Sequence, residues 1–195
     1  MSNFLEDFMG NLGGDVAKKM AANLDIDPNT ISAMIPQVAP LILGGLKRQK
    51  DNFGGEQRID HILNKYGSAS VLDNLGDLFS AKANDSNADP RLGGLLGDSG
   101  VQAANMLSNQ FNLKTDTANQ FITMLAPVIL GFLTKKRDSD GMGSSGIGAL
   151  LDQNGDGSIL DDVAGFLMKG LSGGGSQGAG GLLGGLLGGL FGGKK

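Results

Sequence analysis

The chain repeats itself after 87 or 88 residues, and this repeat constrains its fold more than any other feature of the sequence. Residues 39–46, APLILGGL, align with residues 126–133, APVILGFL, at an offset of 87 (126 minus 39). Residues 70–79 align with residues 158–167 at an offset of 88 (158 minus 70). Because two separate blocks agree to within one residue, we interpret them as a tandem duplication. The two copies and the polar linker between them are residues 13–80, 100–168 and 81–99.

Each copy is predicted to be helical. Apolar residues recur at intervals of three and four, as in residues 101–111, and no segment alternates with a period of two. Asp27-Pro28 predicts the start of a long helix, because aspartate is a good N-cap and proline fits the first helical position. Thr115-Asp116 predicts the matching start in the second copy. The predicted fold class is all-α, with a small multi-helix unit duplicated and packed into one helical bundle.

The remaining helices follow from the same periodicity. An amphipathic helix with an acidic outer face is predicted at the N-terminus, and shorter helices complete each copy. The predicted ranges are residues 1–12, 15–24, 57–65, 71–80, 147–152 and 159–169.

The centre of the second long helix, residues 121–133, contains no charged side chain. Thirteen residues are too few to cross a bilayer, which needs about 20, so a buried core helix is the favoured interpretation. Pro40 and Pro127 occupy the same place in the two copies, where each removes a backbone donor and is expected to kink its helix.

Composition excludes several classes of protein. The chain has no cysteine, so it has no disulfide framework, thiol nucleophile or Cys-ligated zinc. The sequence pI near 4.9 argues against binding by neutralisation of nucleic-acid phosphates. Glu6 and Asp7 stand where a secretory signal would carry basic residues, so we expect a cytoplasmic protein.

Both long helices end in basic clusters. Cations at this place complement the C-terminal carbonyl groups of a helix, which is the favoured interpretation. The alternative is a patch for nucleic acid or anionic lipid. The clusters are Lys47, Arg48 and Lys50 in the first copy and Lys135, Lys136 and Arg137 in the second.

We find no enzyme signature and expect a protein that is not an enzyme. His61 is the only histidine, and no Ser, Asp or Lys accompanies it in a recognisable catalytic arrangement. Tyr66 is predicted to end a helix by packing.

One segment matches the first half of a calcium-binding loop. Asp152, Asn154 and Asp156 supply oxygen atoms at alternate positions, and Gly157 provides the sharp turn that such a loop needs. Position twelve is Val163 instead of an acidic residue. The segment therefore fits either a structural Ca²⁺ site or an Asx-rich turn that caps a helix. The candidate ligands are Asp152, Asn154, Asp156, Ser158, Asp161 and Asp162.

The C-terminal segment, residues 169–195, is rich in glycine and leucine. In residues 180–193, two glycines alternate with two large apolar residues. Eight glycines cost a helix about 8 kcal/mol relative to alanine, so an isolated helix is not expected in water. The tail is therefore a flexible terminus, a surface for self-association or a protein partner, or a contact with a membrane surface through Lys194 and Lys195. The candidate docking side chains are Leu182, Leu183, Leu186, Leu187, Leu190 and Phe191.

The twin APLILGGL and APVILGFL blocks, the DQNGDGSILDD segment and the GGLLGGLFGG ending together resemble the bacterial family called domain of unknown function 937. The resemblance covers residues 10–192. It implies a small helical bacterial protein without an assigned activity, similar to YidB-like helical proteins. A homeodomain-like arrangement suggested for those proteins would imply a nucleic-acid-associated role using the basic helix ends, which the acidic composition disfavours. We therefore predict a structural or interaction protein, with a nucleic-acid role and a calcium-responsive module as alternatives.

Overall fold

A computed structural model describes residues 4–151 of the chain, apart from residues 86, 140 and 142. Within these residues the protein is all-helical and contains no β-strand, which confirms the predicted all-α class. A π-helical turn, Met9–Gly13, follows the first helix, and 3₁₀ turns occupy Ala69–Leu72 and Leu92–Gly94. The helices are α1 (Phe4–Phe8), α2 (Gly14–Leu24), α3 (Pro28–Phe53), α4 (Gly55–Tyr66), α5 (Leu75–Ala83), α6 (Asp98–Phe111), α7 (Thr115–Ser139) and α8 (Gly143–Leu151).

The start of α3 has the predicted chemistry. The side chain of Asp27 accepts a hydrogen bond of 2.9 Å from the backbone N–H of Thr30, and Pro28 is the first helical residue. The helix predicted at 71–80 begins later, at Leu75, because the residues before it form a 3₁₀ turn. The helix predicted at 159–169 lies outside the described residues.

Helices α2 and α6 end in the same way. Asp25 and Asn112 both adopt the left-handed conformation, with φ and ψ of 54° and 46° for Asp25 and 53° and 45° for Asn112. The N–H of Asp25 donates to the carbonyl of Ala21, and the N–H of Asn112 donates to that of Ser108. Asparagine and aspartate tolerate this conformation better than other non-glycine residues. The two helix ends are 87 residues apart (112 minus 25).

Helix α7 lies at the centre of the bundle. It packs against α2, α3, α4, α5, α6 and α8. Every residue of the uncharged segment 121–133 is buried except Pro127, which is partly buried. The prediction that this segment is a buried core helix is therefore confirmed.

In the part of the chain that the structure describes, two helices are long and apolar enough to cross a membrane by length and composition. They are α3 and α7, and 44% and 78% of their apolar windows are buried inside the structure. A buried core helix of a soluble protein meets the same criteria.

The N-terminal helix is held on α7 by aromatic packing. Phe4 and Phe8 are buried, and each ring lies 5.5 Å from the ring of Phe132 in an edge-on arrangement. Lys136 forms an ion pair of 3.0 Å with Asp7 beside these rings. The first helix is thereby fixed to the C-terminal half of α7.

The segment between α5 and α6 packs on α3, although its composition predicted a polar linker. Leu95 and Leu96 belong to the core. Arg48 donates hydrogen bonds of 2.9 and 3.1 Å to their carbonyl oxygens. The close approach requires glycine at position 45, because a Cβ atom there would lie 2.5 Å from the carbonyl oxygen of Leu95.

Candidate functional site

The two sites predicted from the sequence lie outside the described residues. They are the candidate calcium loop at residues 152–162 and the docking side chains at residues 182–191. Both stay predictions.

The structure places most of the predicted basic clusters in intramolecular contacts. Lys47 is buried and forms an ion pair with Asp51 one helical turn away. Arg48 donates hydrogen bonds to the carbonyl oxygens of Leu95 and Leu96 in the linker. In the second cluster, Arg137 forms an ion pair of 3.0 Å with Asp60, and its side chain donates a further hydrogen bond of 2.9 Å to Asn64. Lys135 is exposed.

The neighbouring Asp138 also interacts with Arg137. The Nε atom of Arg137 lies 2.7 Å from the Asp138 carboxylate. This hydrogen bond raises the pKa of Arg137 above its ordinary value and lowers the pKa of Asp138 below its ordinary value of 3.8. Arg137 therefore interacts both with Asp138 on its own helix and, through its ion pair with Asp60, with α4.

A pocket of about 520 Å³ opens beside Pro127 of α7. This volume is within the range of about 300–1,000 Å³ that is typical of small-molecule sites. Its walls come from the ends of α3 and α5, one face of α4, the linker and one stripe of α7. The lining residues are Gln49, Arg58, Ile62, Lys65, Tyr66, Lys82, Asp85, Asn87, Ala88, Asp89, Leu92, Gly93, Leu95, Thr123, Ala126, Pro127 and Leu130.

The floor of the pocket is the apolar stripe of α7. Ala126, Pro127 and Leu130 supply its surface, together with Ile62 from α4. Pro127 has no N–H, so the carbonyl of Thr123 lacks the hydrogen bond that residue 127 would otherwise donate. Thr123 is only 7% exposed. Apart from Thr123, the side chains that form the floor are apolar.

The rim of the pocket carries three cations. The Nε atom of Arg58 donates a hydrogen bond of 3.0 Å to Gln49, which orients its guanidinium group. The Nζ atom of Lys65 lies 5.1 Å from the centre of the Tyr66 ring. Lys82, in the last turn of α5, is the third cation. Among the described residues, neither Lys65 nor Lys82 forms an ion pair with a carboxylate.

Two aspartates that line the pocket are engaged in the linker. Asp85 accepts a hydrogen bond of 3.0 Å from the backbone N–H of Asn87. Asp89 accepts one of 3.0 Å from the backbone N–H of Arg91 and lies 3.6 Å from its guanidinium group. These aspartates stabilise turns of the linker, and the three cations outnumber them at the pocket.

Sequence reasoning missed this pocket. Its residues come from separate segments and share no local motif. The available signals were Pro127 and the spacing of Arg58, Ile62, Lys65 and Tyr66, which places them along one face of α4. Tyr66 was predicted to pack at a helix end; it is the last residue of α4, but it is 55% exposed at the pocket rim.

The described residues offer limited catalytic chemistry. His61 is exposed on α4. No group of three or more His, Cys, Asp or Glu residues in this part of the chain could hold a metal ion. The pocket can bind a molecule through apolar contact and positive charge, but it presents no nucleophile with an adjacent base.

Fold and site together define an all-helical protein built around one buried helix with a cation-rimmed pocket. The model of the family described as "Bacterial protein of unknown function (DUF937)" matches residues 6–136, which is 131 of the 195 residues. The chain belongs to this family. The matched range ends earlier than the resemblance over residues 10–192. No curated protein and no solved structure matches the chain.

Proposed function

We propose that this protein is a non-enzymatic interaction protein that associates with itself through its Gly/Leu-rich tail. The observation that carries the proposal is the pattern of residues 180–193, in which pairs of glycines separate six large apolar side chains without a charge. Small residues four positions apart allow two helices to approach closely, and association covers the apolar side chains beside them.

The described body of the protein supports this assignment. Among the described residues, the exposed large hydrophobic side chains are Phe53 and Tyr66. These two side chains expose too little apolar surface to cover the six large apolar side chains of the tail. The tail of a second copy can cover them better. A protein partner or a membrane surface is the alternative cover.

The test compares the full chain with Leu186→Asp/Leu187→Asp by light scattering coupled to size exclusion. We expect the full chain to exceed the mass of one copy and the variant to have the mass of one copy. Ser172→Asp/Ser176→Asp is the matched control, because it adds the same charge to the part of the tail that precedes the repeat at residues 180–193. A single-copy mass for the unaltered chain at every concentration would overturn the proposal, as would an oligomer that survives deletion of residues 170–195. Tail-dependent sedimentation of single copies with vesicles would replace it with membrane binding.

We also propose that the bundle arose by tandem duplication. Three structural correspondences support this origin at offsets of 87 or 88. Asp25 and Asn112 share one backbone conformation. Gly54 and Gly141 both have positive φ, as do Gly55 and Gly143. The N–H of Ile31 bonds to the carbonyl of Asp27, and the N–H of Ala118 bonds to that of Lys114, each at 3.1 Å.

A structural Ca²⁺ site at residues 152–162 is a separate proposal that rests on the ligand spacing in the sequence. Titration calorimetry with Ca²⁺ tests it. We expect one binding event in the unaltered chain, its loss in Asp156→Ala, and its retention in the control Asp77→Ala, an exposed aspartate of α5. A flat trace for the unaltered chain would rule the site out.

The alternative nucleic-acid role has less support. Lys47, Arg48, Lys136 and Arg137 are engaged within the fold, so they contribute less free positive charge to a phosphate surface. A salt-dependent mobility shift with DNA would favour this alternative, and no shift at low salt would dismiss it.

A further inference from the structure

The geometry points to a binding site for a single-chain amphipathic carboxylate, of the fatty-acid class, in the pocket beside Pro127. Such a ligand has an apolar chain and one negative head, and the pocket has an apolar floor and a positive rim. The inference goes beyond the proposed self-association and does not depend on it.

Apolar side chains from α7, α4 and the linker line the pocket beside its cations. The stripe of Ala126, Pro127 and Leu130 faces Ile62 of α4 and Leu92 and Leu95 of the linker. These side chains can cover a hydrocarbon chain, and each buried CH₂ group contributes about 0.8 kcal/mol.

The charges of α4 determine the sign of the head group. Arg58 and Lys65 are seven residues apart and therefore lie on one face of the helix, two turns from each other, with Ile62 between them. Because Arg58 is oriented through its Nε atom, its terminal nitrogens remain available for a carboxylate. Lys82 adds a third cation from the end of α5.

The rim aspartates do not cancel this preference. Asp85 and Asp89 accept hydrogen bonds from linker N–H groups, and Asp89 also lies near Arg91. These hydrogen bonds leave both carboxylates charged, but the three cations Arg58, Lys65 and Lys82 outnumber them, and this excess of positive charge favours an anion over a neutral or cationic molecule of the same shape.

Tyr66 provides a direct optical probe of the site. The chain has one tyrosine and no tryptophan, so its tyrosine emission comes only from the pocket rim. The experiment titrates the full chain with octanoate, octanol or acetate and records this emission. We expect saturable binding of octanoate with one site, binding of octanol that is about tenfold weaker, and no response to acetate.

Variants distinguish the head-group contact from general apolar binding. Lys65→Gln and Arg58→Gln are each expected to weaken octanoate binding by about fivefold and to leave octanol binding unchanged. Lys18→Gln, an exposed lysine of α2 outside the pocket, is the matched control and is expected to bind octanoate normally. Helical circular dichroism verifies that each variant is folded.

Two results would overturn the inference. One is the absence of a saturable change in Tyr66 emission with octanoate. The other is equal binding of octanoate and octanol in the unaltered chain and both α4 variants, which would indicate nonspecific adsorption. Repeating the titration with Leu186→Asp/Leu187→Asp separates the site from the tail, because the pocket is expected to bind octanoate whether or not the chain self-associates.

Discussion

Gly67, directly after α4, lies against the backbone of Leu130 in the middle of α7. A Cβ atom built on Gly67 would be 2.7 Å from the carbonyl oxygen of Leu130 and 2.9 Å from the hydroxyl oxygen of Thr134. Glycine is needed here for space and not for backbone conformation, since its φ is −114°. This contact brings the end of α4 close to α7, and both helices line the pocket.

Gly67→Ala is therefore expected to lower the free energy of unfolding by about 1–3 kcal/mol, because the backbone of α7 must shift to admit the methyl group. Urea denaturation measures this change. Gly76→Ala in α5 is the matched control, because nothing lies within 4 Å of its Cβ position. The control is expected to raise the unfolding free energy by about 0.5–1 kcal/mol, since alanine favours helix. Equal effects of the two substitutions would contradict the close contact.

The cap of α3 gives a second prediction with an internal comparison. Asp27→Ala removes the side-chain acceptor for the N–H of Thr30 and should cost about 1 kcal/mol of unfolding free energy. Lys114 stands at the matching place before α7, at an offset of 87 (114 minus 27). Lys114→Asp should stabilise the protein by about 0.5–1 kcal/mol, because a carboxylate can cap α7 and a cation cannot. Thermal unfolding of both variants measures the two shifts, which should have opposite signs.

These cases indicate which parts of the fold the sequence could predict. The cap at Asp27 and the buried centre of α7 depend on local chemistry and periodicity, and both were predicted. The need for glycine at position 67 depends on where a distant helix lies. The burial of Leu95 in a segment of polar composition depends on tertiary contacts with α3 in the same way.

The candidate site follows the same division. The calcium loop and the tail were proposed because each is a continuous pattern in the sequence. The pocket is lined by Arg58 of α4, Lys82 of α5 and Pro127 of α7. These residues are far apart in the sequence, and no local pattern indicates that they line the same pocket. The sequence could identify the charges and the proline, but only the packing of the helices could place them around one volume.

The ion pair between Arg137 and Asp60 is predicted to couple α7 to α4. The Arg137 side chain is 12% exposed, whereas Asp60 is 37% exposed, so solvent screens part of the interaction. A double-mutant cycle with Arg137→Met and Asp60→Asn should give a coupling of about 0.5–1.5 kcal/mol. The surface pair Lys19–Asp15 is the control, and its coupling should be smaller. A cycle with no coupling at Arg137 would show that the pair adds nothing to stability.

Asp138 should contribute to the loss of stability in acid. Its pKa is lowered in the folded state by the hydrogen bond from Arg137, so the folded protein binds fewer protons than the unfolded protein as the pH approaches 3.8. The contribution is complete above the unfolded pKa and disappears as the pH falls through the lower folded pKa. Asp138→Asn should therefore lose less stability than the unaltered chain between about pH 5 and pH 2. Denaturation at a series of pH values measures this difference, which should be small because Asp138 is exposed.

The central position of α7 has a consequence for how the protein is made. Synthesis begins at the N-terminus, so the apolar faces of α2, α3, α4 and α5 leave the ribosome before the helix that covers them exists. Phe4 and Phe8 remain without their packing partner longest, because that partner, Phe132, lies near the end of α7. The nascent chain therefore exposes apolar surface on incompletely packed helices during most of its synthesis. The core can form only after translation has passed Ser139, the last residue of α7.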